Sequence, residues 1–338
     1  MKKVGFLLTM VFLLLFVVTG CASSGAEETN STAKDGDGAS GYDGLTVKLG
    51  IQGSGGLFGK AREEKWFEQE FEKLGVKVEW VEFLSGPPMT EAMASNRLDF
   101  AVLGNMPIIA AQAADIPFKV ISQTLEGKNN VAIIVPEGSK AQAIEDLKGK
   151  KVAVVKGSNA FNFLYRGLDE AGLKTTDVEI IQLQPDEAQA AFDSGGVDAW
   201  ATWDPYISLN TVTGKAKVLT DGEQLNVLSP SYAIVHDEFA KKYPELVTLY
   251  LQVLNKTIEW EENNTQEALE RYSKERNVPV EVIEGTLERG KLINIPVSDE
   301  IIAEQQKTAD FQYSLKTIRK EIDVKEVFDN QYIEEALK

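Results

Sequence analysis

The 338-residue chain contains one cysteine and one histidine. A lone cysteine excludes a disulfide within the chain. Cys21 lies in the N-terminal leader, so the folded body keeps no thiol for nucleophilic work. His236 sits in a His-Asp-Glu helix-start context, which predicts a surface residue rather than a catalytic base. No His, Cys and Asp cluster has metal spacing, so no metal site and no cofactor are expected. Basic residues are also scarce, with 35 Lys and Arg against 52 Asp and Glu and a formal charge of −17. No basic stripe exists to displace counterions, which argues against a nucleic-acid partner. Carboxylate pairs abound in so acidic a chain that none points to catalysis. The Gln52-Gly53-Ser54-Gly55-Gly56 stretch lacks the Gly-Lys-Ser/Thr of a phosphate loop and the spacing of a dinucleotide fingerprint. The longest apolar run, residues 4–18, falls short of the ~20 residues needed to span a bilayer.

That run reads instead as a secretory leader. Lys2 and Lys3 precede it and Val18-Thr19-Gly20-Cys21 closes it. The closing tetrapeptide resembles the lipobox of bacterial lipoproteins, which implies lipidation of Cys21 and attachment to the outer face of the cell membrane. Residues 22–44 are rich in Ser, Gly, Ala, Asp, Glu and Thr without apolar period, and read as a flexible tether.

The body is organised around residues 85–107, SGPPMTEAMASNRLDFAVLGNMP. A proline-started helix leads to a short apolar strand, and a second helix opens at Gly104-Asn105. The same order recurs at residues 182–208, where Asp198 corresponds to Asp99 and Pro205 to Pro107. The repeat extends upstream: VKLGIQGSGGLFGKA from Val47 and KVAVVKGSNAFNFL from Lys151 both read strand, glycine turn, helix. Two copies predict two similar α/β lobes facing one ligand cleft. In such lobes ligands sit beyond the carboxyl ends of strands, where helix N-termini point. The strands at residues 129–136 and 232–235 are the expected crossings. Lobe 1 is then 45–131 with 232–338, and lobe 2 is 132–231.

Candidate ligand contacts follow from that geometry. The glycine turn after residue 51 admits close approach of a ligand, or makes a tight turn only. Phe83 ends a strand as core or cleft wall. Ser158 caps a helix or donates its hydroxyl to a ligand. Trp203, one residue past its strand, is placed to wall a cleft, whereas Trp200 reads as core. Asp204 caps its helix, binds a ligand cation, or bridges to the other lobe. Helix starts at Ser54, Pro87, Asn105 and Ser158 offer backbone N–H groups to an anion. No arginine lies in these motifs, so neutral donors are expected to carry recognition.

Residues 45–310 resemble the solute-binding proteins of ABC importers for aliphatic sulfonates, nitrate and taurine, the sulfonate branch above all. EFLSGPPMTEA at Glu82, GNMPIIAAQAA at Gly104, DLKGKKVAVVKGS at Asp146, GGVDAWATWDPY at Gly195 and QQKTADF at Gln305 carry the resemblance. It implies a type II periplasmic-binding-protein fold and a lipid-anchored, monomeric receptor. It also implies delivery of a small organic anion to a membrane permease driven by an ATPase, without catalysis. Ligand contacts implied by the resemblance are Gln52, Gly53, Ser54, Gly86, Pro87, Gly104, Asn105, Gly157, Ser158, Trp203 and Asp204. Two departures bear on the substrate. Asn159, Ala160 and Phe161 stand where relatives show serines and a histidine, and Asn105 stands where many show aspartate. Nitrate, taurine or a pyrimidine-like heterocycle are the alternative ligands. A surface sensor and a thiamine-pyrimidine synthase are the alternative functions.

Overall fold

The computed structural model describes residues 41–338 other than Asp43 and Ser54. The leader, Cys21 and all but the last residues of the tether therefore lie outside the described residues, as does Ser54.

The chain opens with β1 (Thr46–Gln52), α1 (Gly56–Glu63), α2 (Trp66–Glu72), β2 (Lys77–Phe83), α3 (Gly86–Ala94), β3 (Phe100–Gly104), α4 (Asn105–Ala113) and β4 (Phe118–Leu125). A second unit follows: β5 (Val131–Pro136), β6 (Lys151–Val154), α5 (Asn159–Glu170), β7 (Glu179–Gln182), α6 (Pro185–Asp193), β8 (Ala199–Trp203), α7 (Tyr206–Val212) and β9 (Ala216–Asp221). The chain then returns through β10 (Ser231–His236), α8 (Asp237–Lys242), α9 (Pro244–Asn263), α10 (Thr265–Arg276), α11 (Val280–Arg289), β11 (Leu292–Ile295), α12 (Asp299–Ser314) and α13 (Gln331–Ala336).

Two sheets result, in the orders β2-β1-β3-β10-β4-β11 and β7-β6-β8-β5-β9. Aside from the edge strand β11 they correspond strand for strand. In each, three parallel strands meet one antiparallel strand, β10 or β5, that arrives from the other lobe. The strands expected to cross between lobes thus each lie wholly within one sheet, paired on both edges. The crossings are the irregular passages just before them, residues 126–130 and 222–230. These passages run side by side: the Ser229 N–H donates to the Gly127 carbonyl at 2.8 Å, and Asn130 Nδ2 donates to the Ser229 carbonyl at 3.1 Å. Gly127 has φ +84°, and a Cβ there would come within 2.2 Å of the Ser229 carbonyl carbon. Only glycine fits so close a backbone approach.

The short apolar runs form central strands because both faces of each sheet are covered. Leu49, Phe100 and Val235 face one core with Phe67, Tyr250 and Leu251 of the helices, and the Phe100 and Tyr250 rings stack at 4.3 Å. Met89, Leu98, Ala101 and Ile234 fill the opposite face. The second sheet is sandwiched likewise, by Phe163 and Leu164 on one side and Phe192 and Trp200 on the other. Trp200 is core, as its strand position predicts. The duplication reaches single hydrogen bonds: Asp99 accepts from the Lys48 N–H, and Asp198 from the Lys151 N–H, each at 2.8 Å. His236 departs from expectation. It ends β10 and is buried, its N–H donating to the Asp99 carbonyl at 2.8 Å.

Candidate functional site

The carboxyl ends of β1, β3, β6 and β8 converge on a cavity of about 170 Å³ between the two sheets. That is ample beside the roughly 10–15 Å³ of such space one water needs. Of the residues singled out in the sequence, Gln52, Gly86, Gly104, Ser158, Asn159, Trp203 and Asp204 line it. Gly53, Phe83, Pro87, Asn105 and Gly157 do not. The Gly53 N–H is bonded to the Phe83 carbonyl at 3.0 Å, and Phe83 packs toward the core beneath α3. Pro87 and Gly157 face each other across the lobes. Asn105 is buried and lines a second cavity of about 230 Å³ beside α12.

Helix starts surround the cavity, but most of the expected amide donors are already taken. Glu275 Oε2, from α10, accepts from the Gly56 N–H of α1 at 3.0 Å. Pro87 and Pro88 leave the first turn of α3 without two of its N–H groups. At α4 the Asn105 N–H donates to the Pro230 carbonyl at 2.9 Å. The Met106 N–H donates to Asn159 Oδ1 at 3.1 Å. Ser158 caps α5 conventionally, its Oγ accepting from the Phe161 N–H at 3.2 Å. At α5 both first amides, those of Asn159 and Ala160, lack an acceptor among the described residues.

Asn159 explains the glycine at 104. A Cβ on Gly104 would fall 2.1 Å from Asn159 Oδ1, so the bare backbone is what lets this side chain cross between lobes. Its Nδ2 then donates to the carbonyls of Ser229 and Pro230 at 3.2 and 3.4 Å, tying α5 to the return passage.

On the other wall, Trp203 is half-buried and edge-on to Tyr206, with centroids 6.3 Å apart. Asp204 is almost fully enclosed. Its Oδ1 accepts from the Ser208 N–H at 2.9 Å and from the Ser208 hydroxyl at 2.5 Å. Burial pushes its carboxyl up to about 6, against the opposing pull of the Ser208 hydrogen bonds and Arg289.

Sequence reasoning missed the remaining wall. Asn130 comes from a crossing, Leu125, Val131 and Ser231 from the strand ends that flank the crossings, and Thr286 and Gly290 from the end of α11. Helices α10 and α11 form a hairpin docked on both lobes. Arg271 pairs with Glu63 of α1, while α11 packs on α7. Arg289, last residue of α11, brings a guanidinium to within 4.0 Å of Asp204 Oδ2. Arg289 is not among the residues that line the cavity, and its guanidinium stands behind the Asp204 wall. A plain amphipathic helix that contains none of the quoted motifs carries no local signal that it walls a cleft.

Two α/β lobes that exchange their antiparallel strands and close on one cavity define the periplasmic-binding-protein fold. The chain belongs to the family described as NMT1/THI5 like, which matches residues 60–268. It is 43% identical over 330 residues to a Bacillus subtilis (strain 168) protein with the provisional name aliphatic sulfonates-binding protein, covering 98% of this chain and 96% of that one. Among solved structures it is similar to the alkanesulfonate-binding protein SsuA from Xanthomonas axonopodis pv. citri bound to MOPS, with TM-score 0.79, 31% identity, and 85% and 99% of the two chains covered. The periplasmic aliphatic sulphonate binding protein SsuA from Escherichia coli gives TM-score 0.73 and 33% identity over 84% and 97%. The desulfurization enzyme DSZB, at 15% identity, TM-score 0.65 and 87% and 99% coverage, shares the fold alone.

Proposed function

We propose that the protein is the extracytoplasmic binding component of an ABC importer, and that it captures a small organic anion, an aliphatic sulfonate, without turning it over. One observation carries this reading. Strand ends of both lobes wall a single cavity, in a chain 43% identical over 330 residues to a relative named for aliphatic sulfonates. The α5 amides, the Ser231 hydroxyl and the Gln52 amide supply donors for the anionic head, while the Ser158 hydroxyl is engaged with the Val155 carbonyl at 2.8 Å. Trp203 supplies an apolar face for the chain. Hydrogen bonds to a charged acceptor contribute about 1.5–3 kcal/mol each, so three of them approach the roughly 8 kcal/mol of a micromolar complex. Closure buries the guest, and a permease that prefers the closed form reads occupancy from it. Lipidation of Cys21 would hold the monomeric receptor on the outer face of the membrane, and Cys21→Ser is expected to release it into the soluble fraction.

Thermal-shift screening of the purified protein against ethanesulfonate, butanesulfonate, taurine, nitrate and pyrimidines tests the reading. Stabilisation by alkanesulfonates at micromolar concentration is expected. A response to heterocycles alone overturns the substrate, and consumption of any compound overturns the class.

A further inference from the structure

Asp204 poses a problem for any anionic guest. It is a carboxylate in the wall of the cavity, its side chain only 6% exposed. Its Oδ1 is spent on Ser208, while Oδ2 has no hydrogen-bond donor among the described residues. An anion entering beside it meets like charge in a poorly solvated site, where repulsion is screened little. Arg289 is the cation that faces this oxygen. Its Nε stands 4.0 Å from Asp204 Oδ2, too far for a hydrogen bond but close enough to offset the charge. The same guanidinium donates from Nη1 to the Asn129 carbonyl at 3.3 Å and lies 3.7 Å from Asp221 Oδ2. It thus touches the outgoing passage at Asn129, the strand end that begins the return passage at Asp221, and the cavity wall at Asp204. Asp204 and Asp221 belong to lobe 2, and α11 carries Arg289 to them by packing on α7 of the same lobe.

We propose that Arg289 sets the charge selectivity of the cavity: by neutralising Asp204 it makes an acidic wall compatible with an anionic guest. This rests on the sulfonate reading and adds a positioning residue to it. Arg289 acts through Asp204 and does not itself line the cavity.

A double-mutant cycle tests this by calorimetric titration of the purified protein with methanesulfonate and with its neutral analogue methanesulfonamide. Arg289→Gln is expected to weaken methanesulfonate by roughly tenfold or more and to leave methanesulfonamide within about twofold, since only the charged guest feels the exposed carboxylate. Asp204→Asn, which keeps an oxygen for Ser208, is expected to hold or improve methanesulfonate binding. The double variant is expected to recover most of the loss. Failure of the double variant to recover means that Arg289 contacts the anion directly or only supports the fold, and overturns the proposal. Equal losses for the charged and the neutral guest overturn it as well. If the unaltered protein binds no sulfonate at all, the proposed function fails instead, and the two failures stay distinct.

Discussion

The Ser85 hydroxyl donates to Gln184 Oε1 across the cleft at 3.0 Å, and the two residues precede equivalent helices, α3 and α6, in the two lobes. The lobes are thus linked where the internal repeat brings its own copies face to face. Any separation of the lobes that releases a ligand would break this bond. Ser85→Ala is expected to weaken ligand affinity by about fivefold, the equivalent of roughly 1 kcal/mol, with little change in the unfolding midpoint of the ligand-free protein. Titration calorimetry and a denaturant melt separate the two effects.

Asn159 satisfies three backbone groups at once: the Met106 N–H and the carbonyls of Ser229 and Pro230. Asn159→Ala leaves the Met106 N–H without its partner, although the Ser229 and Pro230 carbonyls keep the Asn130 Nδ2 and Asn105 N–H donors, and is expected to cost about 2 kcal/mol in denaturant stability. Asn159→Asp keeps the acceptor for Met106 but turns a carboxylate toward two carbonyl oxygens. Its loss is expected to be the larger and to shrink as pH falls and the carboxyl protonates.

Gly127→Ala is expected to destabilise the protein by more than about 3 kcal/mol or to prevent folding, because the added methyl meets the Ser229 backbone at a positive φ. Gly138→Ala is the control. No atom lies within 4 Å of a Cβ there, so a change within about 0.5 kcal/mol is expected. Equal effects from both substitutions, measured by urea unfolding, would show that the crossing tolerates more than its geometry allows.

The raised carboxyl of Asp204 has a signed consequence for stability. A carboxyl at about 6 in the folded state and 3.8 when unfolded holds extra proton in the folded form across that interval. Its contribution is complete below pH 3.8 and is lost as pH rises through about 6. This is opposite in sign to a salt-bridged acid. The interval corresponds to roughly 2–3 kcal/mol. Unfolding free energies of the unaltered protein and of Asp204→Asn, compared from pH 4 to 7.5, are expected to diverge in that direction. Parallel curves would place Asp204 at an ordinary value.

Much of the fold was legible because both copies repeat strand, glycine turn and helix with uninterrupted apolar strands, and a doubly covered sheet requires such runs. The cavity residues at strand ends were legible for the same reason: Gln52, Gly104, Ser158 and Trp203 each follow or close a strand. What stayed hidden depends on partners distant in sequence. Glu275 capping α1 and Asn159 capping α4 are contacts across 219 and 53 residues, and no spacing rule announces that a helix start is already occupied. Arg289 escaped notice because α11 differs from any surface helix only in what it lies against. His236 was misread because its neighbours Asp237 and Glu238 are helix-start residues, while its own burial is set by β10 between β3 and β4.

The strand order also dictates when each half can be finished as the chain is made. The second sheet is complete once Asp221 has emerged, whereas β3 and β4 stay apart until residues 231–236 arrive to fill the gap between them. The half that comes later in the sequence can therefore close first. Until then the earlier half exposes two strand edges, which makes it the part of the newborn chain most in need of protection from neighbours.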